Sequence, residues 1–357
     1  NLAEMTNLGI PVPPGFTITT EVCEAYYKNN KQYPKGLPEE IDQNISRLER
    51  LMGAKLGNSN NPLLVSVRSG AAASMPGMMD TLLNTGLTSD SVQALIKKTG
   101  NPRFVWDAYR RFISMFGSIV KGIERNCFEE VLDRYKKRAK VKNDTDLTAE
   151  DLENIAEEFR VIYAENTGEF FPNDSKVQLS MAIEAVISSW NSPRAVKYRQ
   201  LYDIKGLLGT AVNVQSMVFG NMGNHSATGV CFTRNPSTGE NKFYGEFLIN
   251  AQGEDVVAGI RTPEPIADLE KEMPDVYAQL VSWKNVLEDH FKDLQDIEFT
   301  IQENRLFILQ TRNGKRTTQA AVKIAVDMVK ERLIDKKTAI SRINPNELDQ
   351  LLHPTFD

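Results

Sequence analysis

The sequence predicts an α/β (α+β) protein in three parts: a mixed lobe from residues 1–88 completed by residues 174–220, a helical insertion over 89–173, and a β-rich lobe over 221–316, with a helical exit over 317–357. Three observations predict it. Apolar residues recur at helical spacing through residues 89–190. From Gly209 onward, alternating apolar and polar residues separated by glycine turns read as strands. Residues 296–312 form two alternating runs around a polar break, which is a hairpin signal.

Composition bounds the function before any motif does. A chain of 357 residues exceeds what one hydrophobic core serves, so several packed parts are expected. Its 41% hydrophobic and 25% charged residues describe an ordinary globular protein rather than a disordered one. A net charge of -5 without a basic stripe argues against nucleic acid as the main partner. No apolar run approaches the roughly 20 residues of a membrane helix, and no charged-then-apolar leader opens the chain. A soluble, cytoplasmic protein is expected, with organelle import left open. Cys23, Cys127 and Cys231 lack paired spacing and read as reduced, small apolar residues. His225, His290 and His353 show no metal-binding spacing.

In chain order, an opening helix leads into Gly9-Ile10-Pro11-Val12-Pro13-Pro14-Gly15, a proline-rich connection that prohibits helix, and then a short strand and a helix capped at Thr19 or Thr20. The next helix opens at Pro38, with Ile41, Ile45, Leu48 and Met52 on one face. Leu63 to Gly70 is a buried-strand run containing Arg68, followed by the small, flexible stretch Ala71 to Thr81 around Gly77. An arginine at the end of a buried strand beside such a loop has the makings of a phosphate clamp. Its bland alternative is that Arg68 satisfies a local carboxylate.

Asn101-Pro102 starts a long helix whose apolar side carries Phe104, Val105, Ala108, Phe112 and Phe116, with Arg103, Arg110 and Arg111 on or near its other faces. Thr148 and Asp151 form a capping-box signal, and Asp174 caps a helix running to Trp190. Strands follow over 211–219, 227–233 and 243–250, the second opening with Thr228-Gly229. A helix over 274–291 places Val276, Leu280, Trp283, Leu287 and Phe291 together, and helices over 317–334 and 345–352 close the chain.

The hairpin carries the most specific chemistry. Because strand side chains switch faces at each residue, Asp296, Glu298 and Thr300 share one face, and Gln310 and Arg312 share one face of the return strand. A three-residue loop of Glu303, Asn304 and Arg305 sets Glu298 opposite Gln310 and Asp296 opposite Arg312. Two carboxylates, an amide oxygen and a guanidinium on one face suit Mg²⁺ and phosphate oxygens. A surface hairpin with one cross-strand Asp–Arg pair is the alternative.

Ser66-Val67-Arg68-Ser69-Gly70, Ser74-Met75-Pro76-Gly77-Met78-Met79-Asp80, Thr233-Arg234-Asn235-Pro236, Ala251-Gln252-Gly253-Glu254 and Gln310-Thr311-Arg312-Asn313-Gly314-Lys315-Arg316 together make the chain resemble the N-terminal nucleotide-binding region of the pyruvate phosphate dikinase family, an ATP-grasp-type module. The resemblance covers essentially all 357 residues. It implies Mg²⁺ as cofactor and ATP as substrate. It implies that Glu298 and Gln310 hold the metal with Asp296 in support, and that Arg68 and Arg312 serve catalysis by neutralising transferring phosphoryl groups, with Arg111 assisting.

Gly77, Thr228 and Gly229 are implied as a phosphate cradle. Gln215, Met217, Val218, Glu254 and Asp255 are implied around the nucleoside, with ATP between the mixed and β-rich lobes. The family's Gly-Gly-Lys-Gly element precedes the segment beginning at Asn1, and its carrier histidine lies in a further domain, distinct from His353. The implied partners are ATP, phosphate, that phosphohistidine domain and a barrel for pyruvate and phosphoenolpyruvate, in a homodimeric full-length protein. A phosphoenolpyruvate synthase-like module and a non-catalytic nucleotide-sensing module are the alternatives.

Overall fold

The structure, a computed structural model, describes residues 1–73, 75–258 and 261–348, without the side chains of Glu254, Val257, Ala258 and Asn346. His353 lies outside the described residues. Helices and mostly antiparallel sheet are mixed in the chain, as expected of an α/β (α+β) class. The chain divides into two compact units, Pro14–Met217 and a second made of Asn1–Pro13 with Val218–Asp357.

The first unit holds a four-stranded sheet in the order Gly15–Ile18, Ala211–Ser216, Val65–Gly70, Thr81–Thr85. Several of its helices begin where side-chain caps dictate. Asn101 accepts from the Phe104 N–H at 3.0 Å to start Pro102–Val120, and Thr148 and Asp151 cap Ala149–Thr167 reciprocally. Asp174 accepts from Lys176 and Val177 to start Ser175–Ser189. The aromatic stripe is core: Phe112, Phe116 and Tyr163 surround Phe171 edge to face, and Phe112 and Phe116 are fully buried. The strand expected over 211–219 ends at Ser216. Beyond it, the Met217 N–H reaches Leu64 O at 2.9 Å and the Phe219 N–H reaches the Gln302 side chain at 2.9 Å.

The second unit holds a five-stranded antiparallel sheet in the order Arg305–Asn313, Gln295–Gln302, Ala227–Phe232, Tyr244–Ile249, Glu264–Pro265. Ile297, Phe299, Ile301 and Ile308 project from one face into a core with Phe247, Val276, Leu280 and Leu287. The last three come from the helix Pro274–Phe291, whose bounds follow its apolar periodicity. Residues 1–13, which the sequence grouped with the mixed lobe, sit in this unit, because Met5 and Ile10 are buried in its core and the Ile308 N–H donates to Pro11 O at 2.9 Å. The helix Thr318–Lys330 packs Ala320, Ile324 and Met328 on Leu294 in a smaller cluster.

The hairpin turn differs from the expected three-residue loop. Gln302 pairs with Arg305, leaving only Glu303 and Asn304, both at left-handed φ of 48° and 62°. That is the two-residue turn whose twist matches paired strands. Continued unbroken, its register would face Glu298 with Leu309. Instead the pairing shifts between Glu298 and Phe299: Ile308 faces Phe299, Gln310 faces Glu298, and Leu309 is the extra residue of a bulge. The expected partners, Glu298 with Gln310 and Asp296 with Arg312, are therefore the observed ones, reached by a shorter turn plus one inserted residue.

Candidate functional site

The face of the five-stranded sheet opposite the core is polar along two rows. One row runs Gln310, Glu298, Val230, Glu246, and the next Arg312, Asp296, Phe232, Tyr244, each set being directly paired across strands. Glu246 is exposed and was not singled out from the sequence, although the alternation of Tyr244, Glu246 and Leu248 carried the signal.

Arg312 organises one end. Its Nε donates to Asp296 Oδ2 at 2.7 Å, and its Nη2 lies 3.6 Å from Glu298 Oε1. Partial burial works against its charge, but Asp296 and Glu298 outweigh that and push its pKa upward, so the guanidinium stays charged. Side-chain exposure falls from 31% at Arg312 and 30% at Glu298 to 12% at Asp296. Glu298 and Gln310 thus meet solvent at a face where Asp296 is already matched by a cation.

These donors are a carboxylate, an amide oxygen and a second, arginine-paired carboxylate. They fit a small hard cation that takes one or two protein oxygens and draws its other ligands from phosphate and water. Among the described residues no group of three or more His, Cys, Asp and Glu is placed to hold a metal by itself.

Other expected residues fall around this face or in the first unit. Thr228 is buried beside it, and its hydroxyl donates to Phe299 O at 3.2 Å and sits 3.5 Å from the Thr300 hydroxyl. Gly229 is paired on both sides, facing Phe299 and Phe247, and a Cβ there would come within 2.5 Å of the Phe299 ring and 2.6 Å of Glu246 O. Packing explains that glycine, and an internal hydrogen bond engages that threonine. Both residues stand at the start of the strand Ala227–Phe232, where the sequence expects them.

Asp255 is in the short helix Gly253–Ala258 and caps it, accepting from the Gln252 N–H at 2.9 Å. Glu254 is in the same helix, and its side chain lies outside the described residues. Gly253 comes next to the face, since a Cβ built on it would lie 3.9 Å from Thr228 Oγ1. Val218 opens this unit's second segment and is half-buried.

In the first unit, Arg68 is half-buried in the central strand Val65–Gly70, between Asn213 and Thr81. Gln215 is buried in the neighbouring strand opposite Gly15 and Ser66, and Met217 follows its end. Gly77 is exposed at a φ of 70° with nothing within 4 Å of a built Cβ, so conformation rather than crowding asks for glycine there.

Arg111 is committed inside the helical part. Its Nε donates to Asp107 Oδ2 at 3.1 Å, while Arg110 Nη2 lies 2.6 Å from Asp107 Oδ1 and 2.8 Å from Asp144 Oδ2. Burial pushes the Asp107 carboxyl up, but Arg110, Arg111 and Arg103 outweigh it and hold the carboxyl down at about 2.

Fold and face together define an α/β protein with a polar sheet surface on which carboxylates, an amide and a guanidinium meet. Over residues 32–278 and 268–333 the chain matches the family described as pyruvate phosphate dikinase, AMP/ATP-binding domain, and it belongs to that family. It is 58% identical over 357 residues to the chloroplastic pyruvate, phosphate dikinase of Flaveria trinervia. To the pyruvate, phosphate dikinase of Clostridium symbiosum it is 56% identical over 358 residues, and to the chloroplastic pyruvate, phosphate dikinase 1 of Zea mays 56% over 357. All of this chain aligns in each case, but it spans only 37%, 41% and 38% of those relatives' lengths. Among the described residues no helix is long and apolar enough to cross a membrane.

Proposed function

We propose that this chain is the ATP-grasp-type nucleotide-binding module of a pyruvate phosphate dikinase. It binds Mg-ATP and phosphate and phosphorylates a histidine carried on another domain of a longer, homodimeric protein. The overall conversion is ATP, phosphate and pyruvate to AMP, pyrophosphate and phosphoenolpyruvate, with the pyruvate site on a separate barrel. The observation that carries the reading is the pairing of Glu298 with Gln310 and of Asp296 with Arg312 on one sheet face, in a chain of this family. The dikinase names of the relatives favour it over the synthase-like alternative.

In this reading Glu298 and Gln310 supply the metal's protein oxygens. Magnesium, when bound, offsets phosphate charge. Asp296 keeps Arg312 oriented through the 2.7 Å bond, so that the guanidinium faces anionic oxygens without rearranging. Arg68 adds positive charge to the transferring groups, as phosphoryl transfer demands positioning and electrostatics rather than a protein nucleophile. Gly77 offers backbone N–H groups. Thr228 and Gly229 join Gly77 around the phosphates, and Gln215, Met217, Val218, Glu254 and Asp255 surround the nucleoside.

The test is Mg²⁺-dependent transfer of label from ATP to the carrier histidine in the full-length protein. Transfer that survives in a Glu298→Ala, Gln310→Ala double variant at the wild-type rate sinks the reading. Loss of transfer with an unchanged melting temperature supports it.

A further inference from the structure

The loop around Gly77 has a firm base and an unpacked tip. At the base, Met75 is buried, the Met78 N–H donates to Met75 O at 3.1 Å, and the Asp80 N–H donates to the Ser189 hydroxyl at 3.2 Å. Ser189 is itself fixed, donating to Val186 O at 2.7 Å within the buried helix Ser175–Ser189. At the tip, Pro76 and Gly77 are exposed, and a Cβ at Gly77 would meet nothing within 4 Å.

One side chain bridges from outside the loop. Arg194, in the first turn of the helix Pro193–Leu201, donates through Nε to Met78 O at 3.1 Å and through Nη2 to the Asp80 carboxylate. The guanidinium fork therefore spans the descending limb, gripping a backbone carbonyl and a side chain two residues apart.

We infer that Arg194 is a positioning residue that sets the conformation of residues 75–80, and through it the presentation of the Gly77 backbone to phosphate. The last clause rests on the nucleotide-binding reading above; the first does not. Three features point to positioning rather than general stability. The Arg194 side chain is 49% exposed, and a pair that open to water adds little to global stability. Both bonds go to this loop, 114 and 116 residues away in sequence. Pro76 and Gly77 are both exposed at the tip, and a Cβ at Gly77 would find no neighbour within 4 Å. A fork also has geometry that an ammonium lacks, so lysine keeps the charge but not the two simultaneous bonds.

The experiment is amide hydrogen exchange on the chain, with and without Mg-ATP, for wild type, Arg194→Gln, Arg194→Lys and Asp80→Asn. Arg194→Gln is expected to speed exchange in residues 75–80 about tenfold, with Arg194→Lys and Asp80→Asn in between. Residues 102–120 and 175–189 should keep wild-type rates. Unchanged exchange in 75–80, or equal acceleration across all three segments, overturns the positioning role. Mg-ATP is expected to slow exchange of residues 75–80 in wild type, with weaker slowing in Arg194→Gln. If wild type shows no such slowing while Arg194→Gln still loosens the loop, Arg194 sets the loop but Gly77 does not meet phosphate, and the failure lies with the nucleotide reading.

Discussion

Arg234 and Arg312 belong to the same sheet unit, and each faces two carboxylates, yet they do different work. Arg234 is fully buried: Nε and Nη2 reach Glu288 at 3.0 and 2.9 Å, Nη1 reaches Glu331 at 3.1 Å, and the Thr233 hydroxyl completes the cluster by donating to Glu288 at 2.6 Å. Burial opposes its charge, but Glu331 and Glu288 outweigh that and raise its pKa. The cluster ties the strand end at Thr233 to the helix Pro274–Phe291 and to the end of Thr318–Lys330. Arg312 has one close carboxylate, one at 3.6 Å, and a third of its side chain in solvent. A saturated, sealed guanidinium is a rivet. A partly engaged one on a wet face is available to a ligand, and the degree of enclosure tells the two apart better than the residue types do.

The comparison predicts opposite signatures, and the largest effect belongs to the sealed cluster. Glu288→Ala leaves buried Arg234 with half its partners and should lower stability by about 3–5 kcal/mol, read from urea unfolding. An unchanged midpoint would erase the distinction.

On the open face, Glu298→Ala or Gln310→Ala should cut histidine phosphorylation about 10²- to 10³-fold, the scale of losing one preorganised electrostatic partner, while the melting temperature stays put. A stability loss matching that of Glu288→Ala would make the open face structural too.

A third enclosed cluster gives a pH signature. Asp107 has its folded pKa at about 2, below the roughly 3.9 of an unfolded aspartate. It therefore adds about 2 kcal/mol that is complete above about pH 4 and is lost as the pH falls toward 2. Asp107→Asn should flatten the stability profile across that window, in urea titrations at stepped pH. The smallest effect is Asp296→Asn, which should change stability by less than about 1 kcal/mol, because its arginine is already partly hydrated. The same variant should weaken Mg-ATP binding, measured by calorimetry.

Much of this was legible in the sequence where local rules act alone. Asn101-Pro102, Thr148 with Asp151, and Asp174 start their helices because a cap needs only its own first turn. Residues 296–312 announced a hairpin because one buried face imposes alternation. The polar partners were also legible, though by a route the pattern hid: one residue fewer in the turn and one more in the strand leave the distant pairing unchanged.

What stayed illegible depends on distant chain. Nothing in Met5 or Ile10 says which core they enter. The engagement of the Thr228 hydroxyl by Phe299 O, and the grip of Arg194 on Met78, join segments 71 and 116 residues apart. The strand run to Phe219 looked continuous because alternation does not reveal where its partner strand ends.

The bulge at Leu309 holds one residue of slack between the turn and the polar face. Removing the single surplus residue would let Gln310 follow Ile308 directly, so that Glu298 still faces Gln310 and Asp296 still faces Arg312 in a regular ladder, with the guanidinium on the polar face and Thr311 inward. Lineages can therefore drop that residue and keep the same cross-strand partners, so a one-codon deletion at Leu309 should cost little more than the local twist of the bulge.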